Sequence, residues 1–177
     1  MRSEELKVVP SVNIRQIKEC ESGDLVIART RYDKNPTPAF IAKFADSDEK
    51  YLIYLPSNAE PSNPPYFIKP LPDMMVVKYD NDYYIEVDHS KYIDFTGKSF
   101  DHCGMLILFG ERAILRVGTP GEGIYGARFY DLKSGHFVDE PNLIGSVSFG
   151  SWCVHLAVEG IEEYVGNPMA KFNFDIA

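Results

Sequence analysis

The chain has 177 residues, of which 45% are hydrophobic and 25% charged, the make-up of an ordinary globular protein. Its 11 Phe, 11 Tyr and 1 Trp supply more apolar area than intrinsically disordered chains carry. The formal net charge is −8 and evenly spread, with 11 basic and 15 acidic groups in residues 1–90 and 7 and 11 in residues 91–177; a surface of that sign repels phosphate backbones and anionic membranes, which argues against nucleic acid and membrane as partners.

No apolar run approaches the roughly 20 residues of a membrane-spanning helix. The opening Met1-Arg-Ser-Glu-Glu-Leu-Lys7 has early acids and no apolar stretch of the ~7–15 residues a signal peptide needs. The expected location is therefore the cytoplasm. Cys20, Cys103 and Cys153 agree with it: they are odd in number, widely spaced and form no Cys-x-x-Cys pair. They read as reduced thiols rather than a disulfide framework or a zinc knuckle.

In chain order, residues 3–22 are expected to hold one short helix. Val12, Ile14, Ile17 and Cys20 approximate a 3.6-residue stripe, Asn13 can cap it and Gly23 can end it. From Gly23 the pattern turns to period two. Asp24 to Thr30, Ala39 to Ala45 and Tyr51 to Leu55 read as strands, the last two forming a hairpin around 46–50. By its strand spacing, the 23–55 stretch resembles the opening of a small SH3-like barrel. Residues 56–72 then carry six prolines, Pro56, Pro61, Pro64, Pro65, Pro70 and Pro72. That density predicts a long surface loop or linker rather than helix or central strand. Pro61-Ser-Asn-Pro64 matches a polyproline ligand pattern, but no Arg or Lys lies within it, and a surface crossover is the simpler reading.

Four further hairpins continue the pattern. Met74–Tyr79 and Tyr83–Val87 flank Asp80-Asn-Asp82 as an expected hairpin, with Asn and Asp suited to left-handed turn positions. Hairpins are likewise expected from 105–109 with 113–117, from 124–132 with 136–139, and from 143–149 with 152–158 around Gly150-Ser151. Residues 159–166 read as one or two helical turns, and Lys171–Ile176 as a closing strand. The expected fold is all-β, or β-rich α+β: a mostly antiparallel barrel or sandwich of ten to twelve short strands with one short N-terminal helix. One domain, 1–177, is the primary division; the alternative is a small barrel-like unit 1–55 and an antiparallel unit 73–177 joined by the Pro-rich loop 56–72.

Motifs with chemical content are few. Gly121-Glu-Gly123-Ile-Tyr-Gly126 matches G-x-G-x-x-G, but a dinucleotide site needs that turn to open a helix, and strand-like residues follow it. It reads as a glycine-rich hairpin connection. His102-Cys103 and Cys153-Val-His155 are the two His/Cys pairings, and alternation puts Cys153 and His155 on one strand face. If they met His102 or Cys103 across a sheet, they could ligate zinc or pair a thiolate with an imidazole. Otherwise they are bystanders opposite a core of Val154, Leu156 and Val158. Asp80, Asp82, Glu86 and Asp88, and separately Asp46, Asp48 and Glu49, crowd turns, but neither set has EF-hand spacing, and both read as solvated charge. No G-x-S-x-G or H-E-x-x-H occurs. No metal site or cofactor is expected.

Three function classes stay open. The leading one is an acidic, non-catalytic interaction protein, of an inhibitor or adaptor kind, that meets a protein partner of basic character. Its candidate contacts are Tyr66 and Phe67 in the loop and Tyr79, Tyr83 and Tyr84 in the hairpin, unless these aromatics are core. The second is a small-ligand binder or hydrolytic enzyme using His102, Cys103, Cys153 and His155. The third is an assembly subunit, with self-association left open.

Overall fold

A computed structural model describes residues 12–29, 35–80, 82–94, 102–119, 123–140, 144–157 and 168–174. Fifteen strands account for the regular structure: β1 (Val12–Gln16), β2 (Leu25–Ala28), β3 (Thr37–Phe44), β4 (Lys50–Tyr54), β5 (Tyr66–Ile68), β6 (Met75–Tyr79), β7 (Tyr83–Val87), β8 (Tyr92–Asp94), β9 (Leu106–Phe109), β10 (Arg112–Thr119), β11 (Gly123–Asp131), β12 (His136–Val138), β13 (Val147–Phe149), β14 (Ser151–Leu156) and β15 (Ala170–Asn173). Two single 3-10 turns, Ile17–Glu19 and His89–Lys91, are the other elements among the described residues. The protein is all-β. Among the described residues no helix is long and apolar enough to cross a membrane.

Twelve strands form one sheet, and β15-β14-β7 form a second. Within the large sheet the pairings β3–β4–β5–β10–β11–β12–β3 close on themselves. Two seams of that ring are parallel and short: Gly118 opposite Tyr66, and His136 and Phe137 opposite Lys43 and Phe44. The strands β2, β6 and β1 run off the ring on one side and β9, β13 and β8 on the other, so the architecture is not a simple barrel. The β2–β4 segment, likened above to an SH3-like opening, is an antiparallel meander inside this larger sheet.

Alternation explains the core. Phe40 and Ala42 of β3 with Ile53 of β4 face inward, where they meet Tyr130, Phe137 and, from the second sheet, Trp152, Val154 and Phe172. The intervening Ala39, Ile41, Leu52 and Tyr54 face outward, yet they are buried too, under Ile17, Cys20 and Val76. Strands covered on both faces lose their polar alternation and read as continuous apolar runs. Cys20 sits in this outer core, and burial, aided by the Asp24 charge, raises its thiol pKa.

Several expectations change. The segment expected as an N-terminal helix is β1 followed by a 3-10 turn over its described part: Val12 and Ile14 pair with Tyr79 and Val77 of β6, and Ile17 alone of the turn is buried. The Pro-rich stretch contains β5, bonded to β4 on one side and β10 on the other, because Tyr66-Phe67-Ile68 is free of proline and keeps its N–H donors. The segments around Asp80–Asp82 and around Gly150 are not hairpins. β6 pairs β1 and β2 whereas β7 pairs β14, and β13 pairs β8 and β9 whereas β14 pairs β7 and β15. At both places the chain leaves one sheet for the other. The β3–β4, β9–β10 and β11–β12 hairpins match the expectation. Phe109 opposes Arg112 across a two-residue turn, with Gly110 at φ 58°, as a tight hairpin turn demands. The helical turns expected at 159–166 lie outside the described residues, as do positions 121–122 of the glycine motif, whose flanks Thr119 and Gly123 are paired strand.

Candidate functional site

The second sheet ends on β7, and its register decides what that edge offers. Tyr83, Tyr84, Ile85, Glu86 and Val87 oppose Leu156, His155, Val154, Cys153 and Trp152. The Asp88 N–H donates to the Ser151 carbonyl at 3.0 Å and the Ala157 N–H to the Asp82 carbonyl at 2.7 Å. In an antiparallel ladder the bonded residues alternate, so Tyr84 and Glu86 turn their backbone groups to β14. Tyr83, Ile85 and Val87 turn theirs the other way. Among the described residues no strand pairs with that second edge.

Beside it lies an open slot of about 450 Å³, with β7 on one side and Leu106, Leu108, Ala113 and Leu132 on the other. Glu111 and Lys133 are its charged lining residues. The slot is where the inner core reaches the surface: Tyr83, Ile85, Val87, Ala113 and Leu132 all pack partly buried against that core. Tyr83 lies 4.9 Å from Phe40, ring centre to ring centre, and burial, with the Asp24 charge adding, pushes its phenol pKa up to about 12.

The outer face of the same sheet carries Cys153 and His155, as alternation requires. The His155 ring stacks on Tyr84, centroids 5.0 Å apart at 11°, and its Nε2 is 3.0 Å from Glu86 Oε2. Cys153 and His155, two residues apart on an extended strand, are about 7 Å apart at their backbones, and Cys153 stands across from Lys171 and Glu86. Burial raises its thiol pKa, against the opposing charge of Lys171. His102 and Cys103 sit before β9. The His102 ring lies 4.5 Å from that of Phe174, and Cys103 is half-buried near Gly118, its thiol pKa raised by burial against the charge of Arg116. Among the described residues no three His, Cys, Asp or Glu side chains converge as a metal site would need.

All three thiols are free and shifted away from the thiolate, the reactive form. Iodoacetamide at neutral pH is therefore expected to label Cys103 and Cys153 more slowly than a free cysteine thiol, as peptide-mapping mass spectrometry would read. Faster labelling of either would point to an activated nucleophile.

The chain was compared with protein-family models, with curated proteins and with solved structures. None matches.

The aromatic candidates divide by place. Phe67 is buried among Tyr51 and Phe137, and Tyr66 stacks half-buried on Tyr54 at 5.3 Å. Tyr79 is half-buried against the inner core. Tyr83 lines the slot and Tyr84, 51% exposed, stands at its edge. Sequence reasoning missed Leu108, 36% exposed in the slot, because nothing local marks which hairpin faces β7.

Proposed function

We propose that this protein is a binding protein that takes up an extended, basic segment of a protein partner as an added strand along β7. The open edge of β7 above an apolar slot is the observation that carries the reading. Strand addition draws its affinity from main-chain hydrogen bonds and its specificity from pockets for alternate side chains. Here the backbone groups of Tyr83, Ile85 and Val87, which no described strand pairs, supply the first, and Leu106, Leu108 and Ala113 the second. Five residues of β7 match a segment of about 17 Å.

Charge selects the partner. Asp82, Glu86 and Asp88 lie on or beside β7 and Glu111 lines the slot, against Lys133 in the slot and Lys91 beyond Asp88, which leaves the rim acidic by two charges. Such a rim attracts Lys and Arg and repels a second β7 edge, which holds the strand back from pairing with its own copy. Three free thiols fit a reduced cytoplasmic setting.

The test uses a fluorescent peptide alternating Val and Lys, with a Val/Glu peptide of equal length as control. Anisotropy is expected to show binding of the basic peptide, weakening as salt rises, and none of the acidic one. Leu108→Lys puts a like charge in the slot at a position open enough to tolerate it, and a loss of about tenfold or more is expected, each tenfold being about 1.4 kcal/mol. Equal binding of both peptides, or unchanged binding by the variant, would refute the reading.

A further inference from the structure

A second recess, of about 790 Å³, lies on the outer face of β3 and β4, within the size range of small-molecule sites. Its floor follows from the register. Lys50 of β4 stands directly opposite Lys43 of β3, and Lys43 directly opposite His136 of β12. Opposed residues share a sheet face, so three basic side chains form a row across three strands. Lys43 and Lys50 are like charges directly opposite each other, which destabilises a sheet, and they are set in a chain of net charge −8. Lys18, from the first 3-10 turn, and Lys69, just after β5, also line the recess.

The local carboxylates do not neutralise this row. Glu49 is taken by Lys69 at 2.6 Å. The Lys50 ammonium donates to the carbonyls of Lys18, at 2.7 Å, and Cys20. Among the described residues Lys18, Lys43 and Lys50 stand in no ion pair. Glu21 and Asp48 line the same recess; a bare polyanion would meet them unfavourably, whereas the hydroxyls of a sugar-like body would donate to them.

We propose that this recess binds a small molecule carrying a phosphate group, with the phosphate over Lys43, Lys50 and His136 and hydroxyl groups facing Glu21 and Asp48. Lysine is a standard point-charge partner of phosphate, and a doubly charged group compensates the row better than a single carboxylate. The site is separate from the β7 edge, and its occupation is independent of the peptide.

The probes are ribose 5-phosphate, inorganic phosphate and ribose, each at an ionic strength fixed with sodium chloride. Ribose 5-phosphate is expected to raise the melting temperature saturably, as a ligand of the native state must, and ribose to leave it unchanged. Inorganic phosphate matching ribose 5-phosphate would overturn the part of the assignment that places hydroxyl groups against Glu21 and Asp48; a weaker response supports the phosphate ester. Lys43→Met is expected to melt at or above the unsubstituted protein when unliganded, because it breaks the row, and to bind at least about tenfold more weakly. Lys18→Gln, on the wall and outside the strands, provides the same binding test independently of folding in the row. A thermal shift no larger than that of added sodium chloride, or undiminished binding by the two variants, would overturn the assignment.

Discussion

Trp152→Ala is expected to lower the stability of this protein by about 3–5 kcal/mol, the range for truncating a large aromatic in a packed core. Trp152 is 1% exposed. Its ring stacks on Phe172 at 5.6 Å and its indole N–H donates to the Gly104 carbonyl at 2.7 Å. It is one of the points where the second sheet is tied to the first, since Gly104 leads into β9 of the large sheet while Trp152 and Phe172 are paired within the second. The alanine variant therefore leaves both a cavity and a buried carbonyl without its donor, and the two costs add. For a chain of this length the fall corresponds to a melting temperature lower by roughly 10 °C. Trp152→Phe separates the terms: it keeps most of the ring volume and loses the hydrogen bond, so a loss of about 1–3 kcal/mol is expected. Urea denaturation should show a shifted midpoint with unchanged slope in both. A Trp152→Ala loss below about 1 kcal/mol would mean that the two sheets are held together elsewhere.

Strand positions were legible in the sequence because alternation and β-branching are local. Ala39-Phe-Ile-Ala of β3 even announces double burial by its unbroken apolarity, and both of its faces are covered. Partner choice was not legible. Asp80-Asn-Asp82 has good turn chemistry, but a turn residue specifies a bend and not the strand that follows alongside. Tyr83, Ile85 and Val87 bury their faces in the inner core, and that burial draws β7 to β14 instead of β6. The same applies at Gly150. Near the N-terminus, Val12, Ile14, Ile17 and Cys20 suit a helix in spacing, yet pairing with β6 satisfies the backbone of the first two and leaves Ile17 and Cys20 to cap the outer core. Both candidate sites share this limit. That Cys153 and His155 share a face follows from alternation alone; that Glu86 and Tyr84 meet His155 needs the register. Lys43 and Lys50 flank a readable turn, but His136 joins them through a parallel pairing between strands more than ninety residues apart, and no local pattern encodes that.

Gly135→Ala tests that long-range pairing most directly. Gly135 closes the β11–β12 turn at φ 71°, its N–H donating to the Asp131 carbonyl at 2.9 Å while Asp131 Oδ1 accepts from the N–H groups of Lys133 and Ser134. A Cβ there would lie 2.4 Å from the Gly23 nitrogen and 2.4 Å from the Ser22 carbonyl carbon. Both are backbone atoms, so no side chain can swing aside, and one turn must move away from the other. The expected loss is about 3 kcal/mol or more, the left-handed conformation itself accounting for roughly 1–2 kcal/mol of it. Gly110→Ala is the matched control: it is also left-handed, at φ 58°, but nothing lies within 4 Å of its added carbon, so it should cost only the conformational part. Equal losses in the two variants would show that the turns are not in contact. Separation of the turns also draws β12 from β3, since the Lys43 N–H reaches the Gly135 carbonyl only at 3.4 Å, and His136 leaves the lysine row. Gly135→Ala should therefore weaken ribose 5-phosphate binding in whatever fraction remains folded, whereas Gly110→Ala, in the β9–β10 turn, should leave it intact.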